Sequence, residues 1–260
     1  MGVTLIIFVG GMGGSPVEDM VAGAQRAIAL DTIERAHESG AFDRMIVVTD
    51  MAELSDELSG PAIVERSEGP FHFGEKLRDV IKRHRVEKPF YVGGGSSPLL
   101  PSREIGAIAE RLSSSENILI TNNLYSSDLI AFTPGEAIEA IEPPSTDNIM
   151  AQLLRKIGLE AQPLPRTASN LFDVDTPTDL VILSLHPGAG PRTRAYLNSL
   201  KLDCSRLKEA VAFFIDPMAQ VLVAGRVGSY VWSRLEEDTV CRIRIISEER
   251  GMRAGGRGEI

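Results

Sequence analysis

The sequence predicts an α/β fold in which helices cover both faces of a doubly wound, mostly parallel sheet. Through residues 1–186, short apolar runs alternate with helical patterns, which is the rhythm of repeated β-α-β units. The first run, Leu5-Ile6-Ile7-Phe8-Val9, is apolar at every position, as in a strand that is buried on both faces. Glycine-rich turns directly follow two of the runs, as expected where a strand gives way to a loop.

Apolar runs place the strands of this domain at residues 3–9, 45–49, 89–92 and 117–121. Helical patterns lie between them, near residues 19–39, 73–84 and 101–112. A further helix is predicted over residues 147–157, because Met150, Leu153, Leu154 and Ile157 form an apolar stripe at helical spacing. Ser145 or Thr146 can cap this helix, and Gly158 can end it.

A second, mainly helical extension is predicted after His186, where a Pro- and Gly-rich segment interrupts the pattern. The predicted domains are therefore 1–186 and 187–260. Helices are expected near residues 192–200, 204–214 and 217–235, followed by a strand over 242–245. The longest helix would begin at the cap pair Asp216-Pro217 and present Val221, Ala224, Val227 and Val231 as a packing or homodimer surface. The glycine-rich tail 253–258 is expected to be flexible.

Composition indicates a globular protein without a membrane or nucleic-acid partner. The content of hydrophobic residues is 43% and that of charged residues 24%, both ordinary for a soluble domain. No apolar run is long enough to span a bilayer, and run 3–9 lacks the basic leader of a signal peptide, so a cytoplasmic location is expected. A net charge of −9 disfavours binding to DNA or RNA. Cys204 and Cys241 lack the spacing of a zinc site or a disulfide framework.

The segment Phe172-Asp173-Val174-Asp175-Thr176-Pro177-Thr178-Asp179-Leu180 is the most informative motif. Residues two apart on an extended segment point the same way, so both Asp173 and Asp175 can reach one divalent metal ion. Alternatively, one acid caps the following helix and the other makes a surface hydrogen bond. Thr176 and Asp179 fit a helix start, with Asp179 in a structural role.

Two glycine-rich turns supply candidate nucleotide-binding residues. The first follows the first strand and contains Gly10, Gly11, Gly13, Gly14 and Ser15, so that backbone amides can approach a phosphate closely. It does not have Walker spacing, and a tight turn without a ligand would also explain its glycines. The second turn contains Gly94, Gly95, Ser96 and Ser97, with two hydroxyl groups that can reach a sugar or phosphate.

The order of a Gly-Gly loop, a G-G-S-S-P-L-L turn, Asn122-Asn123 and F-D-V-D-T-P-T-D-L resembles nucleotidyltransferases of the molybdenum cofactor guanylyltransferase type. It is also similar to the 2-phospho-L-lactate guanylyltransferases, over roughly residues 1–186. The resemblance implies a Rossmann-like sheet of the nucleotide-diphospho-sugar transferase type. It further implies transfer of NMP, with GTP as the expected donor, to a small phosphorylated acceptor with release of pyrophosphate. Mg²⁺ or Mn²⁺ would be held by Asp173 and Asp175.

The chain departs from this family at two positions. Its first loop lacks the Arg and the Lys that bind the triphosphate in the family, which leaves Arg26 as the nearest cation and Arg166 as a second candidate to supplement catalysis. Where the family has a metal-binding Asp before the proline of the middle turn, this chain has Ser96 or Ser97. Solvated surface positions are the alternative for Arg166 and for the pair Lys76 and Arg78.

Candidate acceptor-binding residues are Asn122, Asn123 and His72. The two asparagines close a strand and can offer amide groups to an acceptor, although turn formation explains them equally well. His72 can contact a phosphate. The aromatic residues beside it, Phe71 and Phe73, can stack on a flat ring, but core packing is the alternative.

Three functions compete at this point. The first is a metal-dependent nucleotidyltransferase. The second is a nucleotide- or nucleotide-sugar-binding protein that has lost catalysis, which would explain the missing Arg, Lys and Asp. The third is a glycosyltransferase that holds a nucleotide sugar through a metal bound by the D-x-D acids.

Overall fold

The computed structural model describes residues 2–11, 14–51, 54, 57–58, 62–225 and 227–247. Its main sheet contains β1 (Val3–Phe8), β2 (Arg44–Thr49), β3 (Ala62–Arg66), β4 (Lys88–Gly93), β5 (Ile118–Thr121), β6 (Leu129–Thr133) and β7 (Glu160–Pro163). These seven strands lie in the order β3-β2-β1-β4-β6-β5-β7. Strand β6 runs antiparallel to β4 and β5, and the other neighbours are parallel. The mostly parallel sheet is therefore confirmed.

The helices of this domain are α1 (Pro16–Ser39), α2 (Phe73–His84), α3 (Ser102–Ser113), α4 (Met150–Lys156), α5 (Ala168–Leu171), α6 (Pro177–Leu185) and α7 (Pro191–Ser199), with a 3₁₀ helix at Gly135–Ala140. They cover both faces of the sheet. Leu5 and Ile7 pack in one core with residues of α1 and α3, whereas Ile6 and Phe8 pack in another with residues of α2 and α4. Because alternate residues of β1 face opposite cores, the uninterrupted apolar run predicted from the sequence is explained.

Helix α1 begins and ends at residues whose chemistry suits a helix boundary. The Ser15 side chain accepts a hydrogen bond from the Glu18 N–H, and Pro16 occupies the first helical position. Gly40 ends the helix with φ 65°, in the left-handed region that favours glycine. The helix therefore starts three residues before the predicted position 19, directly after the glycine-rich turn.

Strands β3, β6 and β7 were not predicted from the sequence. Strand β7 is largely polar and gives no apolar run, whereas residues 129–132 of β6 are all apolar and this signal was overlooked. The direction of β6 matters for the site. Because β6 is antiparallel to β4, its first residues lie at the edge where the parallel strands end. Asp128, the residue before β6, is thereby brought to that edge.

The chain divides into two compact units, Met1–Leu202 and Asp203–Ile260, so the division falls after Leu202 rather than after His186. Helix α7 belongs to the first unit because it packs against α1. The buried Asp31 of α1 accepts hydrogen bonds from the N–H groups of Arg192 and Thr193 at 3.0 and 2.9 Å and from the Thr193 hydroxyl at 2.6 Å. A carboxylate at a helix N-terminus is a favourable partner for those amide groups.

In the second unit, α8 (Ser205–Ala212) is followed by a 3₁₀ turn (Phe213–Ile215), β8 (Gln220–Gly225), α9 (Ser229–Asp238) and β9 (Arg242–Ser247). Strands β8 and β9 pair in parallel. The predicted helix over 217–235 is therefore wrong in its first half. Val221 and Val223 are half-buried and alternate with exposed neighbours, which is the period of a strand and not of a helix.

None of the residues described in this unit is fully buried. The predicted stripe of Val221, Ala224, Val227 and Val231 does not form, because its members are divided between a strand, a loop and a helix. The predicted flexible tail 253–258 lies outside the described residues. Among the helices of the described chain, none has the length and apolarity needed to cross a bilayer.

Candidate functional site

The two motifs that follow β4 and precede α6 meet through a short antiparallel bridge. Ser96 pairs with Asp173. On either side of this pair, the Ser97 N–H donates to the Phe172 carbonyl at 3.0 Å and the Val174 N–H donates to the Gly95 carbonyl at 3.2 Å. Residues 77 positions apart in sequence are thus held side by side, and the D-x-D acids lie beside the second glycine-rich turn.

A cleft of about 570 Å³ opens at the edge of the sheet where the parallel strands end. Gly10 and Gly11 line it from the end of β1, Gly94 and Gly95 from the end of β4, and Ser96 from the following turn. The Gly94 N–H donates to the Phe8 carbonyl at 2.8 Å, which fastens the second turn to β1. Ligands of open α/β sheets bind in this position.

Five carboxylates line the cleft, and none of the described residues that line it is a Lys, Arg or His. Besides the predicted Asp173 and Asp175, these are Asp50 after β2, Asp128 before β6, and Asp147 before α4. The Asp50 Oδ1 accepts a hydrogen bond from the Gly11 N–H at 2.8 Å, so one amide of the opening loop already contacts an anion. Without a bound cation the cleft is strongly negative.

Burial and neighbouring charges raise the pKa of four of these acids, Asp128, Asp147, Asp173 and Asp175. Burial, followed by the charge of Asp173, raises the pKa of Asp128 to about 7. Burial and then the neighbouring Asp175 raise the pKa of Asp173 to about 6, against hydrogen bonds from the Val174 N–H and the Ser96 side chain. Burial also raises the pKa of Asp147 and of Asp175. A cation placed among them would favour their ionised forms.

Hydrogen bonds hold the carboxylates of Asp147 and Asp173 and the backbone of Asp175. The Tyr91 hydroxyl donates to Asp147 Oδ2 at 3.1 Å. The Asp173 Oδ1 accepts from the Val174 N–H at 3.0 Å. Asp175 is held through its backbone, because its N–H donates to Asp179 Oδ2 at 3.1 Å. Asp179 also accepts from the Thr176 N–H at 2.8 Å, and this contact at the start of α6 is the structural role predicted from the sequence.

Four aromatic rings form one wall of the cleft, and they are Phe8, Phe71, Phe73 and Tyr91. Phe8 contacts the other three edge to face, with ring centroids 5.3 to 5.9 Å apart. Phe73 is buried in the core as predicted, whereas Phe71 is 57% exposed and core packing is the wrong interpretation for it. An exposed ring beside glycine-rich loops offers a face to a planar group.

The donor set fits Mg²⁺ or Mn²⁺ in its chemistry. Carboxylate oxygens are the preferred ligands of hard divalent cations, and Mg²⁺ is commonly held by one or two carboxylates together with substrate phosphates. Asp173 and Asp175 supply such a pair. No group of three or more His, Cys, Asp and Glu side chains among the described residues is arranged to hold a metal by itself. A metal here would therefore complete its coordination with water and substrate.

The two predicted basic residues do not line the cleft. Arg26 Nη2 pairs with Glu57 Oε1 at 2.6 Å and lines a different surface depression, of about 420 Å³. Consecutive residues of a helix point about 100° apart, so Gln25 faces the cleft while Arg26 faces away from it. Arg166 is exposed and is not among the lining residues either. The first-loop Arg and Lys of the resembled family thus have no counterpart among the described lining residues.

Three predicted nucleotide-binding residues lie outside the cleft lining. Ser15 caps α1, and Gly14 precedes it with φ 143°. Ser97 is buried with φ 50°, and its hydroxyl points to the Asn170 carbonyl at 3.5 Å. Gly13 lies outside the described residues. Of the predicted set, Gly10, Gly11, Gly94, Gly95 and Ser96 are the ones that line the cleft.

The predicted acceptor-binding residues have structural contacts instead. Asn122 is buried, and its Oδ1 accepts from the N–H groups of Asp128 and Leu129 at 3.1 and 3.2 Å. Asn123 Oδ1 accepts from the Tyr125 N–H at 3.0 Å, the turn-forming alternative. His72 is the N-cap of α2. Neither His72 nor the two asparagines line the cleft.

Sequence reasoning missed Asp50, Asp128, Asp147, Tyr91 and Gln25. Asp50 could have been found, because it directly follows a predicted strand and so lies at the ligand-binding edge. Asp128 could be placed only once β6 was known to run antiparallel. Asp147 looks like an ordinary residue before a helix, and nothing in the sequence distinguishes it.

The chain is similar in fold to several solved structures. A protein described as a nucleotide-diphospho-sugar transferase from Desulfovibrio desulfuricans G20 aligns with a TM-score of 0.55 and 15% identity, over 78% of this chain and 100% of that one. The 4-diphosphocytidyl-2C-methyl-D-erythritol synthase of Anaerococcus prevotii DSM 20548 aligns with a TM-score of 0.52 and 15% identity, over 76% and 96%.

A cytidylyltransferase from Leptospira borgpetersenii serovar Hardjo-bovis aligns with a TM-score of 0.51 and 15% identity, over 77% of this chain and 93% of that one. No protein-family model and no curated protein sequence matches this chain. At this level of identity the similarity concerns the fold, which is that of the nucleotide-diphospho-sugar transferases.

Proposed function

We propose that the protein is a metal-dependent nucleotidyltransferase that transfers NMP from an NTP to a small phosphorylated acceptor and releases pyrophosphate. The observation that carries the proposal is the Ser96–Asp173 bridge, which brings the D-x-D acids to a cleft lined by the two glycine-rich turns. GTP is the donor implied by the sequence resemblance, and Asp173 and Asp175 are the proposed ligands of Mg²⁺ or Mn²⁺.

Each group in the cleft has a task in this reaction. The backbone of Gly10 and Gly11 allows a polyphosphate to approach without side-chain obstruction, whereas Gly94 and Gly95 have no room for a side chain because a Cβ there would meet Val9 and the Val174 carbonyl. The exposed ring of Phe71 would stack on the base. When bound, Mg²⁺ supplies positive charge that offsets the charge developing on the triphosphate during displacement of pyrophosphate. That contribution matters here because no described residue of the lining is cationic.

One of the similar solved structures is named a cytidylyltransferase and another a 4-diphosphocytidyl-2C-methyl-D-erythritol synthase, and this agrees with the proposal without identifying donor or acceptor. We further propose that the protein is cytoplasmic and forms a homodimer through residues 187–260; because the predicted valine stripe does not form, other residues of this extension would supply the surface. Size-exclusion chromatography with light scattering tests the oligomeric state.

The test of the activity is pyrophosphate release with each of the four NTPs, a panel of small phosphorylated acceptors, and Mg²⁺ or Mn²⁺. We expect pyrophosphate release for at least one combination of NTP and acceptor. The release should be lost in EDTA and in Asp175→Asn. Asp79→Asn, an exposed acid on α2, is the matched control and should keep full activity. Release that is equal in wild type and Asp175→Asn would contradict the proposal.

The absence of basic residues from the described lining favours a second candidate, a nucleotide- or nucleotide-sugar-binding protein without nucleotidyl transfer. It predicts that an NTP or nucleotide sugar raises the melting temperature equally with and without EDTA, and that no pyrophosphate is released. A glycosyltransferase would instead release a nucleoside diphosphate from a nucleotide sugar, in a reaction that depends on the same D-x-D acids.

A further inference from the structure

The peptide groups of Val174 are held by two different segments of the chain. The Val174 carbonyl accepts a hydrogen bond from Gln25 Nε2 of α1 at 2.8 Å. The Val174 N–H donates to the Gly95 carbonyl at 3.2 Å. Because a carbonyl can only accept, the NH₂ end of the Gln25 amide must face it, which fixes the orientation of that amide.

Packing around Val174 leaves little space for movement. Its side chain is completely buried in a cluster that includes Val21, Ala24 and Ile28 of α1. A Cβ atom on Gly95 would lie 2.8 Å from the Val174 carbonyl oxygen and 3.0 Å from Gln25 Cγ. Val174 is therefore the point at which helix α1, the second glycine-rich turn and the D-x-D segment meet. Gln25 of α1 makes the side-chain hydrogen bond to it.

Val174 lies between Asp173 and Asp175, so the rotation of its peptide groups determines where both carboxylates point. We propose that Gln25 is a positioning residue that holds these two acids in the orientation needed to bind one divalent cation. The inference rests on the proposed function, since Asp173 and Asp175 are its proposed metal ligands. Gln25 lines the cleft, but it orients the two carboxylates through its hydrogen bond to the Val174 carbonyl.

The test compares Mn²⁺ binding with stability in the absence of metal. Gln25→Met keeps the length and volume of the side chain but removes the donor, and Val174 retains its apolar packing on α1. The dissociation constant for Mn²⁺ is measured by electron paramagnetic resonance, and the melting temperature is measured in EDTA. We expect the Mn²⁺ dissociation constant to rise about tenfold while the melting temperature in EDTA falls by only a few degrees.

Three further proteins make the outcomes distinguishable. Gln25→Leu also lacks the donor and must show the same rise, and Gln220→Met, an exposed position on β8, must bind Mn²⁺ like the wild type. Asp175→Asn gives the reference for a lost ligand. An unchanged dissociation constant in both Gln25 variants, with loss of binding in Asp175→Asn, would overturn the positioning role alone. A wild type that binds no Mn²⁺ would overturn both this inference and the proposed function.

Discussion

Asn122 holds Asp128 at two points. Its Oδ1 accepts from the Asp128 N–H at 3.1 Å, and its Nδ2 donates to Asp128 Oδ2 at 3.4 Å. Asn122 Nδ2 also donates to the Asn170 carbonyl at 3.1 Å, which ties the start of β6 to the segment before the D-x-D acids. A residue expected to bind an acceptor thus keeps an acid in place at the edge of the cleft.

The raised pKa of Asp128 predicts a pH-dependent stability. Its folded-state pKa of about 7 exceeds the ordinary value of 3.8, so the folded state binds the proton more tightly than the unfolded state. The free energy of unfolding should therefore fall as pH rises from about 4 through 7 in metal-free buffer. Asp128→Asn has no ionisable group at this position, so it avoids the fall in the free energy of unfolding. It should be more stable than wild type at pH 8 by about 2 kcal/mol.

Denaturant unfolding at pH 4 and pH 8 in EDTA measures this difference. The gain in Asp128→Asn should disappear near pH 4, where the wild-type carboxyl group becomes protonated in both states. Asp79→Asn, at an exposed acid on α2, leaves Asp128 in place and should match the wild type in stability at both pH values. A loss of stability in Asp128→Asn at pH 8 would show that ionised Asp128 is stabilised by contacts that outweigh its burial and repulsion.

Divalent cations should stabilise the protein through the D-x-D acids. An ion that binds only the folded state at a concentration 100 times its dissociation constant adds about 2.7 kcal/mol. We expect Mg²⁺ or Mn²⁺ to raise the melting temperature by several degrees in wild type and much less in Asp173→Asn. Thermal unfolding with and without EDTA checks this, and equal shifts in both proteins would place the cation elsewhere.

Two glycines of the cleft should respond differently to substitution by alanine. At Gly95 a Cβ would lie 2.8 Å from the Val174 carbonyl oxygen, so Gly95→Ala should cost about 1–3 kcal/mol of stability and weaken metal binding. At Gly10 the nearest atom is the Asp50 carboxylate at 3.5 Å, an ordinary contact. Gly10→Ala should keep its stability within about 0.5 kcal/mol yet weaken NTP binding.

Denaturant unfolding and titration with an NTP measure the two effects separately. Gly228→Ala is a control, because φ is −79° there and no atom lies within 4 Å of the added Cβ. Equal NTP affinity in wild type and Gly10→Ala would show that the polyphosphate does not approach the opening loop.

Phe71 should contribute to ligand affinity and not to stability. Its ring is 57% exposed at the mouth of the cleft, so Phe71→Ala removes little buried area. Stacking of a base on an aromatic side chain is worth about 1–3 kcal/mol, which corresponds to a loss of roughly fivefold or more in affinity. Calorimetric titration with NTPs measures this loss. Tyr125→Ala, at a ring that is 69% exposed and lies outside the cleft lining, should bind like wild type. Identical binding by Phe71→Ala and wild type would remove the stacking role.

The fold was predictable because its signals are local. The uninterrupted apolar run of β1 and the helix start at Thr176 and Asp179 each follow from neighbouring residues alone. Strand β8 was mistaken for a helix because Val221, Ala224 and Val227 occur at helical spacing, while pairing with β9 decides the outcome. Intrinsic patterns of short apolar segments do not distinguish these two possibilities.

The site was predictable only in the parts that carry a motif. The D-x-D acids and four of the glycines that line the cleft were found because their type and spacing are distinctive. Asp128 and Asp147 reach the cleft through tertiary structure, by the reversed direction of β6 and the path into α4. Conversely, Arg26 was predicted to act in catalysis because of its charge. Its angular position on α1 directs its side chain away from the cleft and toward Glu57.

The decisive measurement is a crystal structure with Mn²⁺ and a non-hydrolysable GTP analogue. We expect an anomalous Mn²⁺ peak bound by carboxylate oxygens of Asp173 and Asp175, with the triphosphate between that ion and the Gly10-Gly11 turn. An ion bound elsewhere, or a nucleotide seated outside this cleft with both acids unliganded, would contradict it.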